Sequence, residues 1–198
     1  MTADDLRFTE IEHKFLVDDL FDLAVFDQTL RAMGPEKTTS LQVRDCYYLT
    51  DGGQTGRFLF RHRFDPELHH LTLKAVEPDT EVRSEINLDL GHHAGDQQDA
   101  VDAFLERLGV QWRGTLHKDL DVWQFADIEI VHYRATTKTR AVRCVEFEAT
   151  DKPSLRDALA VLHRYERETG FADRDRSHLS LPQMLFPELA EALRGSPT

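Results

Sequence analysis

Glu10, Glu12 and Lys14 alternate within the run Phe8-Thr9-Glu10-Ile11-Glu12-His13-Lys14-Phe15-Leu16-Val17. In a β-strand, alternate residues share a face. This spacing therefore aims two carboxylates and an ammonium into one space. Ile11, Phe15 and Val17 lie on the opposite side, with His13 among them. Carboxylates are hard oxygen ligands for Mg²⁺ or Mn²⁺, and an ammonium pairs with phosphate oxygens. Together they suit a metal-bound polyphosphate. A lone Glu-x-Glu-x-Lys run more often marks a solvated face, so the question is whether other strands repeat the design.

They do. In Arg57-Phe58-Leu59-Phe60-Arg61-His62-Arg63-Phe64, the parity sets Arg57, Arg61 and Arg63 with Leu59 against Phe58, Phe60 and Phe64. Leu71 to Ala75 places Thr72 and Lys74 opposite Leu71 and Leu73. From Glu81 to Leu90 every charge is odd-numbered, including Arg83, Glu85 and Asp89, while Val82, Ile86, Leu88 and Leu90 are even. Arg143 to Ala149 sets Glu146 and Glu148 against Val145 and Phe147. A half-exposed sheet also alternates, but these charged faces are sorted by strand: acid, base, base, mixed, acid. They also favour arginine, whose planar fork matches phosphate oxygens.

In this order, the motifs resemble the CYTH family, the triphosphate tunnel metalloenzymes. The matching pieces are Glu10-x-Glu12-x-Lys14, Arg61-x-Arg63, Thr72-x-Lys74, Arg83-x-Glu85 and Glu146-x-Glu148. Val43-Arg44-Asp45-Cys46-Tyr47-Tyr48-Leu49 is similar to the family's Asp-x-Tyr-Tyr strand. The resemblance runs from about Phe8 to about Leu185. It implies an α+β fold in which an antiparallel barrel-like tunnel of about eight strands is flanked by helices. It also implies a triphosphate bound inside with Mg²⁺ or Mn²⁺. Glu10, Glu12, Glu85, Glu146 and Glu148 would hold the metal, and Lys14, Arg61, Arg63, Lys74, Arg83 and Lys118 the phosphates. Glu10, Glu12 and Lys74 would be catalytic. Asn87 stands where the family often has a further acid. Two positions stay open: Lys118 or Lys138 with Arg140 for a family Lys-x-Arg, and Glu129 or His132 for a family aspartate.

The composition is compatible with this. A chain of 198 residues suits one domain over 1–198, with a core of about 8–185. The net charge of −12 argues against nucleic-acid and anionic-membrane partners. It does not exclude a small anion held by bases gathered on inner strands. No apolar stretch approaches membrane-spanning length. The start, with Asp4, Asp5 and Arg7, lacks the form of a signal peptide. Cys46 and Cys144 are far apart, which fits reduced thiols and a cytoplasmic protein. A homodimer is left open.

The remaining segments supply scaffold. Helical spacing runs from Asp18 to Met33, stopped by Gly34-Pro35. Asp51 to Gly56 reads as a turn. A helix over Asp99–Leu108, capped by Gly109, carries a stripe of Val101, Phe104, Leu105 and Leu108. Gln111 to Tyr133 predicts two strands. A helix from Pro153 to about Glu168 turns Leu155, Leu159, Leu162 and His163 inward. A last helix near Leu181 to Leu193 is interrupted at Pro187, before a Gly195–Thr198 tail. The ten histidines lack zinc spacing, and His13 and His62 read as packing or interface residues rather than ligands.

The expected function is metal-dependent hydrolysis of inorganic tripolyphosphate or a small organic or nucleoside triphosphate. The alternatives are a class IV adenylate cyclase, and a non-catalytic module that binds polyphosphate or nucleotide. Arg63 and Lys74 are expected to touch phosphate directly. Arg63 is expected to contribute little to stability, because it would face water in an empty tunnel.

Overall fold

A computed structural model describes residues 6–76, 82–150 and 152–193. Asp4, Asp5, Glu81 and the Gly195–Thr198 tail lie outside the described residues. The alternating segments form strands β1 (Thr9–Leu16), β2 (Lys37–Thr50), β3 (Phe58–Phe64), β4 (His69–Ala75), β5 (Val82–Asp89), β6 (Val110–Gln124), β7 (Ile128–Thr136) and β8 (Ala141–Ala149). They close into one barrel in the order β1-β5-β4-β3-β2-β6-β7-β8, with every neighbouring pair antiparallel. Closure removes the exposed edges that an open sheet would have to protect.

The helices are α1 (Leu23–Ala32), α2 (Asp51–Gly56), α3 (Gln98–Glu106), α4 (Leu155–Thr169), α5 (Leu181–Leu185) and α6 (Pro187–Ala192). α1 and α4 cover the outer wall of β1, β7 and β8. There the rings of Phe15, Phe26, Phe147 and Phe171 meet edge-to-face, in one cluster with Ile11, Ile130, Val145 and Leu162. Each such side chain contributes about 1.5–3 kcal/mol by leaving water. α3 lays Val101 and Leu105 over Cys46, Tyr48 and Leu71. α5 and α6 pack Leu181, Leu185, Phe186 and Leu189 against Leu49, Leu59, Leu116 and Ala135, so one end of the barrel interior is apolar. A capping box at Ser180 and Gln183 opens α5 and fixes its entry angle.

Local chemistry moves several expected boundaries. α1 begins at Leu23 rather than Asp18. The Asp18 carboxylate accepts the Leu20 N–H at 2.9 Å and holds a turn, and Asp22 then caps the helix by accepting from Val25 N–H at 3.1 Å. Leu20 is left 90% exposed. Asp51 to Gly56 is a short helix rather than a plain turn, capped by Thr50. A Cβ on Gly53 would meet the Phe58 carbonyl oxygen at 2.5 Å, so this helix can lie so close to β3 only with glycine there. Arg57 is left-handed at the end of α2 (φ 53°), outside β3. On α3, Val101 and Leu105 are buried but Phe104 is exposed, as is Leu108 just past the helix end, so the buried stripe is narrower than the spacing suggests.

Candidate active site

The inward residues of the strands surround a cavity of about 350 Å³. Glu10, Glu12, Lys14, Arg61, Arg63, Lys74, Arg83, Glu85, Lys118, Glu146 and Glu148 all line it. The barrel register explains why. Glu10 faces Arg83 across β1 and β5, and Lys74 faces Glu85 across β4 and β5. Glu12, Glu148 and Glu129 form one row across β1, β8 and β7. Of the residues named for the two open positions, Lys118 and Glu129 line the cavity. Arg140 lies in the β7–β8 turn, where Thr137 N–H donates to its carbonyl, and Lys138 is in the same turn. His132 points outward, stacked on Phe21 and 3.4 Å from Asp121.

The bases are interleaved with acids. Lys74 Nζ lies 2.9 Å from Glu10 Oε1 and 2.7 Å from Glu85 Oε2. Lys14 Nζ is 3.0 Å from both Glu12 and Glu146, and Arg83 Nη1 donates to Glu12 Oε1 at 2.8 Å. Arg61 reaches Thr72 Oγ1 at 3.3 Å and Glu85 at 3.4 Å. Tyr133 Oη donates to Glu146 Oε1 at 2.7 Å. Burial works against the charges of Lys14 and Lys74. Their carboxylate partners outweigh it and hold both ammonium groups above the usual lysine range.

The carboxylates are not equally neutralised. Burial favours the neutral acid, but Lys14, Lys74 and Arg83 bring Glu12 down to about 2. Glu10 is pushed up to about 7, first by burial and then by Glu12, although Lys74 opposes the rise. Burial together with the charges of Glu10, Glu85 and Glu12 raises Glu148 well above the carboxylate range. Glu10 Oε2 is buried without a hydrogen-bond partner, as are the Nε–H groups of Arg61 and Arg83. The cavity thus carries an acid-crowded side with an unanswered acceptor, and guanidinium donors still to be answered.

Asp45 was not among the expected site residues. Its odd parity with Val43 and Tyr47 was visible, but its partners were not. It is fully buried, and its oxygens accept from Arg63 Nε and Nη2 at 2.7 Å each, with Lys118 Nζ at 3.4 Å. Two arms of the Arg63 fork are thus spent on the protein, which corrects the expectation that Arg63 contributes little to stability. Burial opposes ionisation of Asp45, but Arg63 and Lys118 hold its carboxyl far below the usual range. Lys118 is brought down to about 8, with burial the largest cause and Asp45 opposing it.

Sequence spacing also missed a cluster on the outer wall. His13 of β1 contacts Glu166 of α4 through Nδ1, and its ring lies 5.5 Å from that of His163.

No protein-family model matches the chain, and no curated protein matches its sequence. Solved structures do resemble it. The PH1012 protein from Pyrococcus horikoshii OT3 has a TM-score of 0.69 at 17% identity, covering 89% of this chain and 99% of that one. An adenylate cyclase candidate from Bacillus halodurans has a TM-score of 0.57 at 17% identity, covering 90% and 99%. An adenylyl cyclase candidate from Hippeastrum, described as having a dominant triphosphatase activity, has a TM-score of 0.52 at 13% identity, covering 91% and 95%. The likeness is one of fold, that of a closed antiparallel barrel.

Proposed function

We propose that the barrel hydrolyses a phosphoric anhydride bond of inorganic tripolyphosphate or a small organic or nucleoside triphosphate, with Mg²⁺ or Mn²⁺ as cofactor. The observation that carries this reading is the gathering of both charges in one cavity. The carboxylates of Glu10, Glu12, Glu85, Glu146 and Glu148 are interleaved there with Lys14, Arg61, Arg63, Lys74, Arg83 and Lys118. The name attached to the Hippeastrum protein favours triphosphate hydrolysis as the first activity to test.

The cavity carboxylates fit a hard divalent cation. Glu10, Glu12, Glu85, Glu146 and Glu148 offer only oxygen donors, the set preferred by Mg²⁺ and Mn²⁺. The unpartnered Glu10 Oε2, and the rise in the pKa values of Glu10 and Glu148 caused by burial and by neighbouring acids, support a cation here, which would favour their ionised forms. When bound, the ion supplies Lewis-acid polarisation of the phosphoryl group and a more acidic water.

The protein side of the mechanism is positioning and charge. Lys14, Arg61, Arg63, Lys74, Arg83 and Lys118 oppose the charge of the phosphate chain, and their ammonium and guanidinium groups offer it oxygen contacts. Glu10, Glu12 and Lys74 are assigned to the reacting end, with the carboxylates orienting water and Lys74 balancing charge on the terminal phosphoryl oxygens. Such preorganised charge supplies most of phosphoryl-transfer catalysis. The test is product identification after incubation with tripolyphosphate or ATP and either ion. Orthophosphate supports the proposal. Cyclic AMP with pyrophosphate assigns the barrel to cyclisation instead, and binding without turnover assigns it to sensing.

A further inference from the structure

We propose that His13, His163 and Glu166 form a second cation site, on the outer wall of the barrel, for an imidazole-preferring transition metal of the Zn²⁺ class. One donor atom from each of the three residues lies within 4.8 Å of the others. Two imidazoles and one carboxylate are a three-ligand set that Zn²⁺ accepts with a water in its fourth position. The same donor chemistry is a poor match for Mg²⁺, which prefers oxygen. The cavity inside offers the reverse set, with carboxylates in the acid corner. The two sites therefore sort cations by ligand hardness.

The fold supplies the preorganisation. His163 and Glu166 are three residues apart on α4, so they share one helix face. His13 reaches that face from β1, and its position is fixed by pairing with Phe147 of β8. Arg176 Nη2 lies 3.2 Å from Glu166 Oε2, which fixes the carboxylate and turns Oε1 toward His13. Outer contacts of this kind orient metal ligands. His163 also borders an open groove along α4 with Leu155, Leu159 and Ala160, which provides a path from solvent. Because His13 lies between Glu12 and Lys14 in β1, an ion here would pin α4 to the strand that carries two cavity charges.

The competing account is that the three residues form only a hydrogen-bonded, buried contact. Co²⁺ titration of chelator-treated protein separates the two, because Co²⁺ reports nitrogen ligation by its visible absorption without any turnover. The proposal expects about one equivalent of Co²⁺ with intense low-coordination bands, displaced by Zn²⁺ and retained in excess Mg²⁺. His163→Ala, at the least buried of the three ligands, should weaken Co²⁺ binding by about tenfold or more. Glu148→Gln, inside the barrel, should leave the bands unchanged. Absent or weak octahedral bands would overturn the proposal. So would wild-type binding by His163→Ala, displacement by Mg²⁺, or loss of the bands in Glu148→Gln.

Discussion

Asp45→Asn should destabilise the ligand-free barrel and tighten its hold on a triphosphate. Asp45 is fully buried and takes two 2.7 Å hydrogen bonds from Arg63, with Lys118 3.4 Å away. Removing its charge leaves a guanidinium and an ammonium together with no carboxylate between them. Breaking a buried pair from one side costs about 3–5 kcal/mol. For a chain of this length each kcal/mol moves Tm by about 2–4 °C, so the loss should read as about 6–20 °C in thermal unfolding without metal. The same deletion frees the Arg63 fork and Lys118 for phosphate oxygens, so tripolyphosphate should bind the variant more tightly and stabilise it more. Because the Asp45 carboxyl is held far below its ordinary value, its contribution is present above that ordinary value and lost as pH falls below it. The variant should lack that part of the acid sensitivity. Stability within about 1 kcal/mol of wild type, or weaker tripolyphosphate binding by titration calorimetry, would refute the reasoning.

Glu148→Gln removes a carboxylate whose ionisation burial and the neighbouring Glu10, Glu85 and Glu12 already disfavour, so the metal-free protein should keep its stability while Mg²⁺-dependent turnover is lost and triphosphate affinity falls less. Full activity in phosphate-release assays would remove Glu148 from the metal set. Lys118 is charged below a pKa of about 8, so triphosphate affinity should decline as pH rises past that point, by at most about tenfold per pH unit. Lys118→Met should flatten that part of the profile, and an unchanged slope would assign it to another group. Leu189→Ala, fully buried where α6 meets the apolar end of the barrel, should cost about 2–5 kcal/mol in urea unfolding. A loss below that range would mean that this helix contributes little to closing the barrel.

The inner faces of β1, β3, β4, β5 and β8 were legible because a strand has a side-chain period of two, which no helix shares. Parity alone placed Glu10, Arg61, Lys74 and Glu146 on common faces. It could not reveal partners set by long-range register. The Asp45–Arg63 pair follows from how β2 and β3 align, and Lys118 rather than Arg140 faces inward because β6 runs on to Gln124 while residues 137–140 form the next turn. His13 and Glu166 are separated by 153 positions and meet only because α4 crosses β1. Apolar spacing overextended α1, because the turn at Asp18 and the cap at Asp22 satisfy the backbone before the helix begins. It also placed Phe104 and Leu108 on a buried stripe, although α3 meets the barrel along only Val101 and Leu105.

The most direct test of the central claim is product analysis of purified protein with tripolyphosphate and with ATP, each with Mg²⁺ or Mn²⁺, beside the Glu10→Gln variant. The account predicts metal-dependent release of orthophosphate by the wild type, and its loss in Glu10→Gln, whose amide keeps the shape but gives up the charge beside Lys74. No phosphate release from either substrate with either ion, or equal release by the Glu10→Gln variant, would contradict it.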